Sequence, residues 1–296
     1  MRITHSDDLC VGDFNEITDV LQSHHPTSDN CVFEYLFFGS EHLTIVDRYS
    51  SYMAQLTQPN APSGNLYFRQ LLSGRDFAVG NQVAEQMVNF VYLIGDSDSR
   101  ECVIVDPAYA VNDLLAIAAT DDMQVVGALA THYHPDHVGG SMMGWNIDGI
   151  ASLLDQVDIP IHVQQLEAEW VMRTTGVSAD HLHQHQPGDI VKVGNIEICL
   201  VHTPGHTPGS QCFLVDNCLV AGDTLFLEGC GRTDLPGSNP EQMYDSLKKL
   251  EALPDRTVVF PGHRYSDPSS RTLDEVRQTN YVFKPKTKSD WLQWFS

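Results

Sequence analysis

Apolar positions in this chain fall into short runs rich in β-branched and aromatic residues, separated by turn-forming residues, which is the pattern of strands. Residues 89–95 (NFVYLIG) and 102–106 (CVIVD) read as adjacent strands around the polar turn 96–100. Residues 111–120 have the spacing of an amphipathic helix, and 123–130 (MQVVGALA) read as a buried strand. Further strands are predicted at 159–163, 191–201, 211–215, 218–222 and 258–260, with helices at 141–156 and 165–174. Asn239 and Pro240 open another helix. Asn239 suits the cap, Pro240 the first helical position, and Gln242 can close a capping box. Met243, Leu247, Leu250 and Leu253 give that helix its apolar stripe. A short helix at 272–279 precedes an aromatic tail with Trp291, Trp294 and Phe295. Strand, strand, helix, strand predicts a sheet with helices on its outer face.

The 296 residues suffice for one large domain or two small ones. Residues 1–65 differ from the rest: they hold nine acidic residues and two basic ones, Arg2 and Arg48. They contain one strand-like run, 31–38 (CVFEYLFF), and end in the turn-rich stretch 59–65 (PNAPSGN). This predicts an acidic N-terminal extension, 1–65, ahead of a catalytic domain, 66–296. His5, His24, His25 and His42 are scattered there without ligand spacing.

Charge narrows the partners. A net charge of −22, from 39 acidic and 17 basic residues, argues against a nucleic-acid surface, which needs Lys and Arg to neutralise phosphates. No apolar run reaches membrane-spanning length, and no basic segment followed by an apolar core marks a secretory signal. The seven cysteines form no CxxC pair and read as reduced thiols. A cytoplasmic protein acting on a small molecule, with no nucleic-acid or membrane partner, is the expectation.

Candidate chemistry is concentrated at residues 131–137 (THYHPDH), where His132, His134, Asp136 and His137 stand at the end of a predicted strand. Pro135 takes the chain off the strand, onto a tight loop where side chains can converge. Imidazole and carboxylate without thiolate suit zinc, iron or manganese. Three more ligand-type residues follow predicted strands: His206 in 203–209 (TPGHTPG), Asp223 in 219–224 (LVAGDT) and His263 in 258–263 (VVFPGH). The run His181, His183, His185 looks metal-like but reads as a solvated loop before residues 187–189, and His202 reads as structural.

From residue 88 to residue 280 this set, in this order, resembles the metallo-β-lactamase fold superfamily, and within it the glyoxalase II (hydroxyacylglutathione hydrolase) and persulfide dioxygenase branch. The resemblance implies an α+β fold, an αββα sandwich of two mixed sheets with helices outside. It implies two divalent metal ions, zinc with iron or manganese as alternatives: one held by His132, His134 and His206, the other by Asp136, His137 and His263, with Asp223 bridging. It also implies a shared hydroxide as nucleophile, Asp136 orienting it or taking its proton, and Asp106 orienting the metal loop without binding metal. Residues 229–234 (GCGRTD) and Tyr265 resemble the segments that meet glutathione in the branch, so Arg232 and Tyr265 are the candidate substrate contacts. Arg264 departs from the acidic or small residue usual there, and the C-terminal helical region of glyoxalase II is not evident.

The function implied is hydrolysis of a small thioester or ester, a glutathione conjugate among the candidates. A thioester suits a site without an extra general acid, because the leaving thiol has a pKa of about 8.5. The alternative is a mononuclear iron persulfide dioxygenase with His132, His206 and Asp223 as its facial triad, an alternative to which residues 272–280 (TLDEVRQTN) lend support. A non-catalytic binding domain, marked by lost ligands, is the distant third reading; all seven ligand-type residues are present here.

Overall fold

In the strand Phe90–Asp96 every residue is buried, so the sheet around it is covered on both faces. The structure, a computed structural model, describes residues 64–295. One six-stranded sheet runs in the order β1 (Leu66–Leu72), β2 (Phe90–Asp96), β3 (Glu101–Val105), β4 (Gln124–Leu129), β7 (Ile161–Gln164), β8 (Leu182–His185). The other runs β14 (Arg271–Thr272), β13 (Val258–Pro261), β12 (Cys218–Gly222), β11 (Gln211–Val215), β10 (Ile196–His202), β9 (Ile190–Val193). Both are mixed: β3 pairs parallel with β4, and β12 with β13, while the hairpins are antiparallel.

Three apolar layers hold these sheets. Tyr92, Ile94, Val103 and Leu129 of the first meet Ile198, Leu200, Phe213 and Val220 of the second. On the outer face of the first sheet lie α2 (Val111–Thr120), α4 (Ile150–Leu154) and α5 (Ala168–Thr175), burying Leu114, Ile150 and Val171. On the outer face of the second lie α6 (Pro240–Glu251), α7 (Leu273–Thr279) and α8 (Lys288–Phe295), burying Leu247, Val276 and Trp291. Helix, sheet, sheet, helix is the expected αββα sandwich. A short helix α1 (Gln82–Met87), capped by Asn81, enters β2.

Four expectations are corrected. Residues 141–156 do not form one helix: β5 (Gly140–Met142) and β6 (Trp145–Ile147) make a hairpin before α4 begins. Glycines at 140, 144 and 149 break helical continuity there. Within the hairpin, Met142 packs on the helix-side core, but Met143 and Trp145 are exposed, neither of them core. The strand predicted at 191–201 is the hairpin β9–β10, split by a Gly194–Asn195 turn. The His181–His185 segment is not a loop, because β8 pairs parallel with β7 and sets His183 opposite His162. Finally, Asn239 caps α6 by accepting the Gln242 N–H at 3.0 Å, but its own N–H goes to the Gly205 carbonyl at 2.8 Å, so Gln242 does not close a box. The reciprocal box forms at Thr272 and Glu275, on α7.

The extension 1–65 and its strand-like run at 31–38 lie outside the described residues, apart from Gly64 and Asn65. Cys102, Cys199, Cys212, Cys218 and Cys230 are free, and no helix among the described residues is long and apolar enough to cross a membrane.

Candidate metal centre

The C-terminal ends of four strands deliver the ligand-type residues to one end of the sandwich. After β4 the chain turns through His132 and His134 into the short helix α3 (Pro135–Val138), with Pro135 in its first turn, and this helix carries Asp136 and His137. His206 follows β10, Asp223 directly follows β12, and His263 lies two residues beyond β13. Two bonds from Gln211 tie the sheets at this end, its N–H to the Thr131 carbonyl at 2.9 Å and its side chain to the Ala130 carbonyl at 2.9 Å.

All seven side chains converge. His134 Nδ1 lies 3.0 Å from both His132 Nε2 and His206 Nε2. Beside this trio, His137 Nε2 and His263 Nε2 are 3.2 Å apart, and Asp136 Oδ2 lies 3.4 Å from His263 Nε2. Asp223 stands between the trios: Oδ1 is 3.5 Å from His137 Nε2, and Oδ2 is 3.7 Å from His206 Nε2 and 3.4 Å from His263 Nε2. Each of the sets His132/His134/His206, His132/His137/Asp223 and Asp136/His137/His263 offers ligand atoms within 4.8 Å of one another.

The outward nitrogens explain why lone pairs face in. His206 Nδ1 lies 2.8 Å from the Arg232 carbonyl and His263 Nδ1 2.8 Å from the Met87 carbonyl. Carbonyl oxygens only accept, so both Nδ1 atoms carry a proton, and in the neutral ring each Nε2 is left to present its lone pair inward. His137 Nδ1 is likewise held by Asp106 Oδ2, at 2.8 Å. Ring nitrogens this close need either a shared proton or a metal cation between them. Asp223 Oδ1 makes the same point: it is buried without a hydrogen-bond partner. Such an oxygen costs free energy unless a cation satisfies it, so these residues fit a bound metal.

Charge divides the site in two. Burial, reinforced by the other imidazoles, drives His132 well below the ordinary histidine range and His134 down to about 4, so both are neutral near pH 7. Burial opposes protonation of His137 too, yet Asp136 and Asp223 push it up to about 10. For Asp223 burial is again outweighed, here by His263 and His137, which hold it well below the usual carboxylate range. One half therefore offers neutral imidazoles, and the other holds negative charge that attracts a proton or a metal.

Asp106 stays out of the inward cluster. It accepts the Thr131 N–H and hydroxyl, each at 2.7 Å, as well as His137. Sequence reading missed Asn89 and Tyr109: Asn89 donates to Asp136 Oδ2 at 3.2 Å and accepts the Tyr109 hydroxyl at 2.8 Å. Neither stands in a motif; only the fold brings them here. Arg232 is exposed, its guanidinium held by both oxygens of Asp234 at 2.9 Å. Tyr265 stacks on His263, with ring centroids 4.8 Å apart, and Phe226 packs edge-on against Tyr265, forming an aromatic wall. His202 contacts the Pro208 carbonyl at 3.0 Å and stays outside the cluster.

Comparison with known proteins agrees with this arrangement. The profile of the metallo-beta-lactamase superfamily matches residues 85–263. Hydroxyacylglutathione hydrolase of Salmonella typhi is 37% identical over 186 residues, covering 63% of this chain and 66% of that protein. A probable polyketide biosynthesis zinc-dependent hydrolase, BaeB, of Bacillus velezensis is 27% identical over 69% of this chain and 85% of its own length. Among solved structures, ETHE1 from Myxococcus xanthus superposes with a TM-score of 0.63 at 28% identity, covering 77% of this chain and 89% of that one.

Proposed function

The chain belongs to the metallo-β-lactamase superfamily, and from that premise we propose that it is a dinuclear metallohydrolase cleaving a small thioester or ester, in the manner of a hydroxyacylglutathione hydrolase. The observation that carries this reading is the position of Asp223, whose two oxygens face both trios while the buried Oδ1 has no hydrogen-bond partner. In the proposed assignment His132, His134 and His206 would hold one metal and Asp136, His137 and His263 the other, with Asp223 serving both. Zinc is the proposed metal, with iron or manganese as alternatives. When bound, such a pair polarises a carbonyl and lowers the pKa of water to about 7.

The chain's own groups supply the rest. Asp136, whose Oδ2 accepts from the Asn89 side chain, orients the attacking water or takes its proton. Tyr265 and Phe226 offer an apolar wall for an acyl or thiol group. Arg232 reaches a substrate carboxylate such as those of glutathione once Asp234 releases it. The acidic extension 1–65 ahead of the catalytic unit 66–296, and a cytoplasmic location, belong to the same proposal.

The likeness to ETHE1 and the GCGRTD segment support a second reading, a mononuclear iron persulfide dioxygenase. One experiment separates them. Thiol release from an S-acylglutathione without oxygen uptake is the result expected of the hydrolase. Oxygen consumption with glutathione persulfide, and no thioester cleavage, is the opposite result.

A further inference from the structure

Among the described residues, Glu167 is the most deeply buried carboxylate outside the ligand cluster that touches the ligand loops, and no motif marks it; it is 1% exposed and stands immediately before α5. Its side chain makes no capping bond to its own helix. It reaches away from that helix and joins two loops distant in sequence. Oε1 accepts the Tyr133 N–H at 2.8 Å and the Thr207 hydroxyl at 2.8 Å, and Oε2 accepts the Gly209 N–H at 2.7 Å. Tyr133 lies between His132 and His134, and Thr207 directly follows His206. The pocket around the carboxylate is built to its shape: a Cβ on Gly209 would fall 2.5 Å from Oε2 and 2.7 Å from the Glu167 Cβ.

We propose that Glu167 is a positioning residue, a carboxylate clamp that fixes the His132/His134 loop against the His206 loop and thereby sets the affinity of the proposed first metal position. This inference rests on the metal assignment above. The three imidazoles of that position come from two separate loops, so their convergence at 3.0 Å needs something to set the distance between the loops. Among the described residues, Glu167 is a side chain that bonds to both loops at residues adjacent to the ligands. Burial raises its carboxyl to about 7, with the Thr207, Tyr133 and Gly209 bonds opposing the rise. Burial disfavours the anion, so it depends on these three donors, which converge only when both loops are in place. A cation bound one residue away on each loop favours that anion further.

Zinc competition against a chromophoric chelator tests the clamp, on the full chain. Glu167→Gln keeps the volume but leaves an NH2 facing at least one of the loop N–H groups. The expected result is zinc affinity weakened about 10- to 100-fold, the usual effect of removing a group that orients metal ligands. Asp96→Asn is the control. Asp96 is also fully buried and accepts backbone N–H bonds, from Asp98 and Asn195, but at the N-terminal end of β3, away from the ligand loops. That variant should lose stability and keep wild-type zinc affinity. Glu167→Gln binding zinc as wild type does overturns the clamp. If Glu167→Gln fails to fold, Thr207→Val, which removes one of the three donors, decides instead: weakened zinc binding supports the clamp, and unchanged binding overturns it. Wild-type protein that binds no zinc, iron or manganese would instead overturn the metal assignment itself.

Discussion

Asp106 Oδ2 lies 2.8 Å from His137 Nδ1, and the same carboxylate anchors the Thr131 N–H at 2.7 Å, so one side chain fixes both the start of the ligand loop and the ring orientation of a ligand-type histidine within it. Asp106 adopts φ +56°, a left-handed conformation that Asp and Asn tolerate better than other non-glycine residues. Asp106→Asn therefore keeps the backbone and removes the charge. Metal affinity should fall about 10- to 100-fold with the fold intact, as read by chelator competition and circular dichroism.

Arg232 and Asp234 are both exposed, so solvent and salt screen their ion pair and it holds the guanidinium only weakly. Asp234→Ala should free the guanidinium and lower KM for an anionic thioester by up to about fivefold, with kcat unchanged. Arg232→Ala should raise KM instead. Steady-state kinetics on both variants decide the matter, and an unchanged KM in each would remove Arg232 from the substrate site.

Trp291 makes the C-terminal helix part of the core. It is fully buried, stacked on Phe295 with ring centroids 4.1 Å apart. Trp291→Ala should cost about 3–5 kcal/mol in urea unfolding. The indole Nε1 has no hydrogen-bond partner, so Trp291→Phe forfeits no hydrogen bond and should cost less than Trp291→Ala, the remainder being the cavity it leaves.

Glu167 gives the metal-free protein a pH signature. Its carboxyl is raised by burial to about 7, against about 4.3 in an unfolded chain. A raised acid stabilises the fold fully below the unfolded value and loses that contribution as pH climbs through the folded one. Metal-free wild type should therefore lose stability from about pH 4.3 to 7 relative to Glu167→Gln, in unfolding curves recorded across that range. Parallel curves would show that the carboxyl is not raised.

Much of this molecule is legible in its sequence because its key groups are local. The strand into the ligand loop is short and apolar, and His132, His134, Asp136 and His137 follow within six residues, so neither needs tertiary knowledge. The stripe of α6 is read correctly for the same reason. What escaped is either a local turn that periodicity masked or a contact with a distant residue. Residues 140–147 carry mixed polar and apolar residues that periodicity assigns to a helix, while their glycines favour a hairpin. His183 and His185 look like loop residues until β7 gives them a partner strand. Asn89, Tyr109 and Glu167 have no motif at all, since each matters through a contact with a residue at least twenty positions away.

The central claim is that two metals act together at Asp223. Its most direct test is to add zinc stepwise to metal-free protein while following thiol release from an S-acylglutathione. The account predicts activity that rises until about two equivalents are bound, and an Asp223→Ala variant that fails to reach it. Full activity at one equivalent, or activity that requires a single iron and consumes oxygen, would contradict it.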